Sequence, residues 1–285
     1  MKFIQFFAVL VGIFEVSQQA KIKNRILNGK VVSIEDYPYQ VLVIWNVYIL
    51  SVPQCGGSII SENYILTAGH CVTIKQNDGK KTWVQLRPEM ITVLPGKSSA
   101  VDLRSAVSIA KIIVHPKLIL KHVFNSNGTC TGTKEVKNDI AMIRLKNPLT
   151  ISKTISIIRL PSQDEQDSSF CGKIAVVTGF GNTFHNQPTQ DLHAVNITMP
   201  AVNDCENGFI CVSNGKPPRG TCQGDSGGPL VINGIQYGLT SYGTSNISAP
   251  EIFCEDFHTT YYVNIIKYRK WISQNSDVDK KYNYI

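Results

Sequence analysis

The chain has 285 residues, 43% of them hydrophobic, with 28 basic and 21 acidic side chains for a formal net charge of +7. That length and composition can build a substantial core. So modest a charge excess, without basic residues alternating with exposed aromatics, makes no case for a nucleic-acid partner. The eight cysteines fit an oxidising compartment.

Met1 to Ala20 opens with Lys2, runs apolar from Phe3 to Phe14, then turns polar and ends on a small residue. That layout reads as a secretory signal peptide over residues 1–20, too short in its apolar part to span a membrane. No later run approaches the ~20 residues of a membrane helix. A secreted, extracellular chain with no membrane anchor is therefore expected. Lys21 to Arg25 follow, then Ile26-Leu27-Asn28-Gly29; without residues 1–25 the balance is 24 basic to 20 acidic groups.

Strand-like segments recur at short spacing: Gln40–Ile44, Ser58–Leu66, Ile91–Leu94, Val107–Val114, Ala141–Leu145, Ile174–Thr178, Val195–Met199, Pro229–Ile232 and Gln236–Thr240. Gly, Pro, Asn and Ser clusters separate them, which predicts an all-β chain built of antiparallel β-barrels. Asn147–Ser162, with its two prolines, reads as the crossing between an N-terminal half, 26–150, and a C-terminal half, 151–285. Helical periodicity is clear only in Val263–Gln274, with Ile265, Ile266, Tyr268 and Ile272 and an anchoring Trp271. The polar tail from Asp277 to Ile285 is expected to fray.

Three motifs carry chemistry. In Gly224-Asp225-Ser226-Gly227-Gly228-Pro229 a serine sits between an acid and paired glycines, the form of an activated nucleophile on a tight turn. Serine alkoxide chemistry needs a base, and the base needs an orienting group. His70 closes the apolar run Ile65-Leu66-Thr67-Ala68-Gly69 and precedes Cys71; Asp139 opens the apolar segment Ile140 to Leu145. Singly, each has a bland reading as a turn, core or surface residue, as do His115, His122, His185, His193 and His258. In the order His, Asp, Ser, coincidence is a poor explanation.

With these motifs the chain resembles the chymotrypsin-like serine proteases from Arg25 to about Trp271. The resemblance implies two antiparallel β-barrels with the active site between them and a C-terminal helix. It implies Ser226 as nucleophile, His70 as general base and Asp139 as the acceptor that fixes the histidine tautomer. The N–H groups of Gly224 and Ser226 would form an oxyanion hole, and Ser241 would support the aspartate. Arg25–Ile26 matches the bond cut in the family's zymogens, with Leu27 and Asn28 in place of valine and glycine. Residues 21–25 would then be an activation propeptide, and the new Ile26 ammonium would pair with Asp225.

Substrate preference turns on a pocket to which the resemblance assigns Gly220, Ser241, Gly243 and Thr260. An aspartate at the first of these positions marks trypsin-like enzymes; Gly220 carries no charge to offset the desolvation of Lys or Arg. Gly243 would leave the entrance open and Thr260 would narrow the wall. This points to an apolar residue before the cut bond, with chymotrypsin-like and elastase-like preferences both open. The resemblance also pairs Cys55 with Cys71, Cys205 with Cys211 and Cys222 with Cys254, which leaves Cys130 and Cys171 to pair by arithmetic alone. Asn127, Asn196 and Asn246 stand in glycosylation sequons. The loop from Leu94 to Arg104 lacks the paired acids that bind calcium in some relatives, so no metal and no cofactor is expected. Expected partners are protein or peptide substrates, an activating trypsin-like protease and protein protease inhibitors, acting on a monomer. A catalytically dead binding relative and an adhesive protein are the competing classes; the intact His70, Asp139 and Ser226 disfavour the first, and the absence of repeats the second.

Overall fold

A computed structural model describes residues 25–47, 50–75, 83–124, 130–183, 185, 187–203, 205, 208–245 and 254–281. The leader expected over 1–20, residues 21–24 and the sequons' Asn127 and Asn246 lie outside the described residues. The chain enters through a short helical turn, α1 (Arg25–Asn28), and β1 (Lys30–Val31). Then come β2 (Gln40–Val47), β3 (Leu50–Ile59), β4 (Tyr64–Thr67), β5 (Thr73–Lys75), β6 (Trp83–Gln85), β7 (Ile91–Pro95) and β8 (Val107–Val114). A second group of three follows, β9 (Ile119–Phe124), β10 (Cys130–Lys137) and β11 (Ala141–Leu145). Six of these close into a barrel in the order β11-β4-β3-β2-β7-β8, while β5–β6 and β9–β10 form two-stranded ribbons beside it.

The segment read as one strand, Ser58–Leu66, is a hairpin. Ser61 Oγ accepts the N–H groups of Asn63 at 3.2 Å and Tyr64 at 3.1 Å, a local bond that turns the chain between β3 and β4. The barrel core is filled by β-branched side chains such as Val41, Val43, Ile59, Ile65 and Ile143, all fully buried. Strands of this kind pack well against a pleated surface.

The second half supplies β12 (Ile174–Gly179), β13 (His193–Thr198), β14 (Phe209–Ser213), β15 (Pro229–Ile232), β16 (Ile235–Thr244) and β17 (Thr259–Asn264). With β1 they make a seven-stranded antiparallel sheet, ordered β1-β13-β12-β15-β16-β17-β14, around Phe170, Val177, Ile210, Leu230 and Tyr262. Residues 158–159, inside the expected crossing segment, bond to both groups of strands. Ile158 N–H donates to Ile59 O at 2.8 Å on one side, and Arg159 O accepts Gln236 N–H at 2.9 Å on the other. Buried polar pairs tie the halves together: Ser58 Oγ to Gln236 Oε1 and Thr178 Oγ1 to Gln40 Oε1, both at 2.6 Å. In a dry interface such bonds fix register, because a shifted pairing would strand a polar group.

The terminal helix, α2 (Ile265–Asn275), begins two residues later than its periodicity suggests, because β17 continues to Asn264. Asn264 then caps it, its Oδ1 accepting Ile266 N–H at 3.1 Å. The tail does not fray at once. Val278, at the start of α3 (Val278–Lys281), is fully buried, and Asp277 and Asp279 hold Asn63 Nδ2 and Arg269 Nη2 at 2.7 and 2.8 Å. Removing two methyl groups from so enclosed a site should be felt: Val278→Ala is expected to cost about 2 kcal/mol in urea unfolding. A loss below about 0.5 kcal/mol, the level of an ordinary surface change, would mean that the tail is not anchored.

Candidate active site

His70 lies on a 3-10 turn, Gly69–Val72, that ends β4. Asp139 follows Asn138, whose φ of 52° is left-handed; asparagine tolerates this, and its side chain is held by Lys117 O at 2.7 Å and Tyr268 at 3.2 Å. That reversal sends Asp139 inward, where it is 1% exposed. Its Oδ1 accepts the backbone N–H of His70 at 2.8 Å. Its Oδ2 lies 2.8 Å from His70 Nδ1 and accepts Ser241 Oγ–H at 2.6 Å. A carboxylate only accepts, so the imidazole proton in this contact belongs on Nδ1, and Nε2 is left as the free basic nitrogen.

Two opposed effects act on each member of this pair. Desolvation would lower the His70 pKa, but the charge and hydrogen bond of Asp139 outweigh it and hold it above the ordinary value. Desolvation would likewise raise Asp139, yet the His70 charge and the bonds from His70 and Ser241 keep it below its ordinary value. A Cβ on Gly69 would touch the Leu118 side chain at 3.0 Å, so Leu118 fills that space.

The Ser226 backbone reaches the residue next to His70. Its carbonyl accepts Gly56 N–H at 2.7 Å and lies 3.5 Å from Sγ of Cys71, the residue next to His70. Gly224, with φ of 95°, makes the turn that only glycine adopts without strain. Among the described residues neither Gly224 N–H nor Ser226 N–H has a hydrogen-bond partner, so both can face a ligand oxygen. Between them Asp225 is fully buried. Its carboxylate accepts Gly181 N–H and Cys222 N–H, each at 2.8 Å, and desolvation pushes its pKa up to about 7 despite these bonds. A Cβ on Gly179 or Gly181 would overlap that carboxylate, so the Gly179-Phe180-Gly181 segment is the cavity that holds it. Upstream, Leu27 is fully buried against Cys222 and bridges to Gly220, while Asn28 Nδ2 donates to Pro218 O at 2.7 Å.

Cys55–Cys71, Cys205–Cys211 and Cys222–Cys254 are disulfides. The pairing of Cys130 with Cys171 is not made. Cys171 is a free thiol packed beside the second-half core, whereas Cys130 opens β10 in a ribbon beside the first barrel. Cys55, Cys71 and His70 bring their donor atoms within 4.8 Å of one another, but the disulfide consumes both sulfurs as metal ligands. Asn196 lies in β13 with its side chain exposed.

At the expected pocket, Gly220 has φ of 154°, Thr260 is buried with Oγ1 bonded to Asn214 Oδ1 at 2.9 Å, and Ser241 points to Asp139. Gly243 does not leave an open entrance: a Cβ there would overlap the ring of Phe257. Sequence reasoning also missed an apolar cavity of about 360 Å³ beside His70, lined by Trp45, Trp83, Leu120, Val136 and Tyr242 among others. Leu120 and Val136 are cross-strand partners in the β9–β10 ribbon.

The trypsin family model matches residues 26–272. The chain is 27% identical over 282 residues to kallikrein 1-related peptidase b5 of Mus musculus, covering 94% of this chain and 95% of the relative. It is 30% identical over 261 residues to a chymotrypsin of Phaedon cochleariae, covering 88% and 82% respectively. It is also 30% identical over 278 residues to CLIP domain-containing serine protease B4 of Anopheles gambiae, covering 90% and 71%.

The tightness around Asp225 has a direct consequence. Gly181→Ala should destabilise the protein by about 1–3 kcal/mol in denaturant unfolding, because the added methyl must displace a buried carboxylate. An unchanged midpoint would show that the cavity is not closed around Asp225.

Proposed function

Because the chain belongs to the trypsin family and is a serine endopeptidase, we propose that His70, Asp139 and Ser226 are its catalytic unit, in a secreted zymogen cut between Arg25 and Ile26. The observation that carries this reading is the buried Asp139 carboxylate, which takes two bonds from His70 and one from Ser241. It sets the imidazole so that Nε2 can remove the Ser226 proton. Oγ then attacks the substrate carbonyl carbon, and the oxygen that becomes negative is met by the N–H groups of Gly224 and Ser226, each such donor typically worth about 3 kcal/mol of barrier. His70 returns the proton to the leaving amine as the C–N bond breaks. Water repeats the sequence on the acyl-enzyme with His70 again as base.

Ser226→Ala and His70→Ala should each reduce kcat by about a million-fold, and the double variant should lose little more, since the members act as a unit. Neutral His70 is the working base, and its pKa lies above the ordinary value, so kcat/KM should fall as pH drops through a midpoint above 6.5. Turnover retained in Ser226→Ala, or an acid limb well below 6.5, would overturn the assignment.

The same reading extends to activation and preference. Cutting at Arg25 would free an Ile26 ammonium; Leu27 already packs on Cys222, whose N–H bonds Asp225, so the new charge has a short route to it. The uncharged Gly220 argues for cleavage after an apolar residue, so the chain should activate itself poorly and depend on a trypsin-like protease. Purified zymogen incubated alone should keep Arg25–Ile26 intact, and a trace of trypsin should release Ile26 as the new N-terminus. Rapid release without trypsin, absent in Ser226→Ala, would contradict this. Asn127, Asn196 and Asn246 are the proposed glycosylation sites, and protein substrates and protein inhibitors the proposed partners.

A further inference from the structure

The geometry points to Phe257 as the residue that sets the size of the primary substrate pocket, which admits small uncharged side chains such as Ala, Val, Ser and Thr. This inference rests on the reading above, in which Gly220, Gly243 and Thr260 frame the pocket. In sequence, two glycines at a pocket's base and wall imply room. In the fold, neighbouring side chains have refilled both places.

At the wall, a methyl group on Gly243 would overlap the Cγ–Cδ2–Cε2 edge of the Phe257 ring, so the ring occupies the space a side chain there would take. The ring is held from below. Phe257 N–H donates to Cys254 O at 3.1 Å, closing a turn pinned by the Cys222–Cys254 disulfide. Its face packs on Leu27, Cys222 and Cys254, the first two of which are 0% and 6% exposed. A substrate side chain longer than a few carbons would have to move this ring out of apolar contact.

At the base, the amide of Asn214 takes the place that a Gly220 side chain would occupy, with Oδ1 3.2 Å from the position of a Cβ. The Thr260 hydroxyl fixes that amide at 2.9 Å, and Asn214 is 4% exposed. Its Nδ2 has no hydrogen-bond partner among the described residues. A long apolar side chain reaching this depth would seal a buried donor without an acceptor, which adds an energetic penalty to the steric one. A carboxylate could accept only the Asn214 Nδ2 bond, too little to offset its desolvation, because no buried cation stands beside Asn214 among the described residues. Both neighbours therefore select against Phe, Tyr, Leu and charged groups. The open choice between chymotrypsin-like and elastase-like preference closes on the small side.

The test uses trypsin-activated enzyme and tetrapeptide p-nitroanilides that differ only in the residue before the cut bond: Ala, Val, Phe, Tyr or Lys. Active sites are counted with a fluorophosphonate probe, so that misfolded molecules do not enter the rates. Wild type should favour Ala and Val over Phe and Tyr by about ten-fold or more in kcat/KM. Phe257→Ala should raise the Phe-to-Ala ratio by about ten-fold or more, leave Lys poor, and Phe257→Leu should fall between them. The Leu variant decides the matter alone if the Ala variant fails to fold. A wild-type preference for Phe or Tyr, or a ratio unchanged in labelled variants, overturns the role of Phe257 while leaving the catalytic unit standing. Wild type that takes no probe and cuts nothing overturns the catalytic reading and this inference with it.

Discussion

The structure depends most on where it puts one negative charge. Asp225 is buried completely beside Ser226, with only the N–H groups of Gly181 and Cys222 to replace its lost water. Two backbone bonds are not enough, and desolvation lifts its pKa to about 7. Yet this side chain sits between Gly224 and Ser226, and its two bonds tie their turn to Gly181 and Cys222. Gly179 and Gly181 leave the space it needs, and Leu27 brings the segment after Arg25 against Cys222. If Arg25–Ile26 is cut as proposed, the Ile26 ammonium would supply the missing compensation, which would join cleavage at a distant peptide bond and the shape of this turn in one electrostatic problem.

A second charge is handled in the opposite way. Asp139 is as buried as Asp225, but His70 and Ser241 surround it and keep it ionised. That compensation comes from both halves of the chain: His70 follows β4 in the closed barrel, and Ser241 lies in β16 of the seven-stranded sheet. The buried bonds Ser58–Gln236 and Thr178–Gln40 fix the two halves in the register the site needs. If the proposed catalytic unit holds, activity would be sensitive to how the halves dock as well as to its three side chains.

The family and its enzyme class were legible in the sequence because that chemistry demands particular residue types. A serine on a glycine turn, a histidine and a buried acid allow few substitutions, and strands such as β8, β11 and β15 were marked by their apolar residues. Contacts between segments distant in sequence were not legible. Phe257 and Asn214 bear no motif; they matter because they fill the spaces beside Gly243 and Gly220. Cys171 was paired by counting, whereas the fold sets it in a different half of the molecule from Cys130. The tail looked polar and mobile, and only the pocket that takes Val278 shows why it is anchored. In the second half, strand periodicity did not reveal that β1 would join β13 and widen the sheet to seven strands.

The most direct measurement is unfolding free energy against pH for the Ser226→Ala chain, uncut and after trypsin cleavage at Arg25. In the uncut chain the native pKa of Asp225 is about 7, raised from an ordinary 3.8, so the native state holds a proton that the unfolded state releases. Stability from this group is fully present below pH ~4 and is lost as pH rises through ~7, by up to about 4 kcal/mol. The cut chain, with the Ile26 ammonium beside a charged Asp225, should lack this decline and be the more stable form at pH 7. Parallel pH profiles for the two forms would contradict the account, because cleavage would then have left the buried charge as it was.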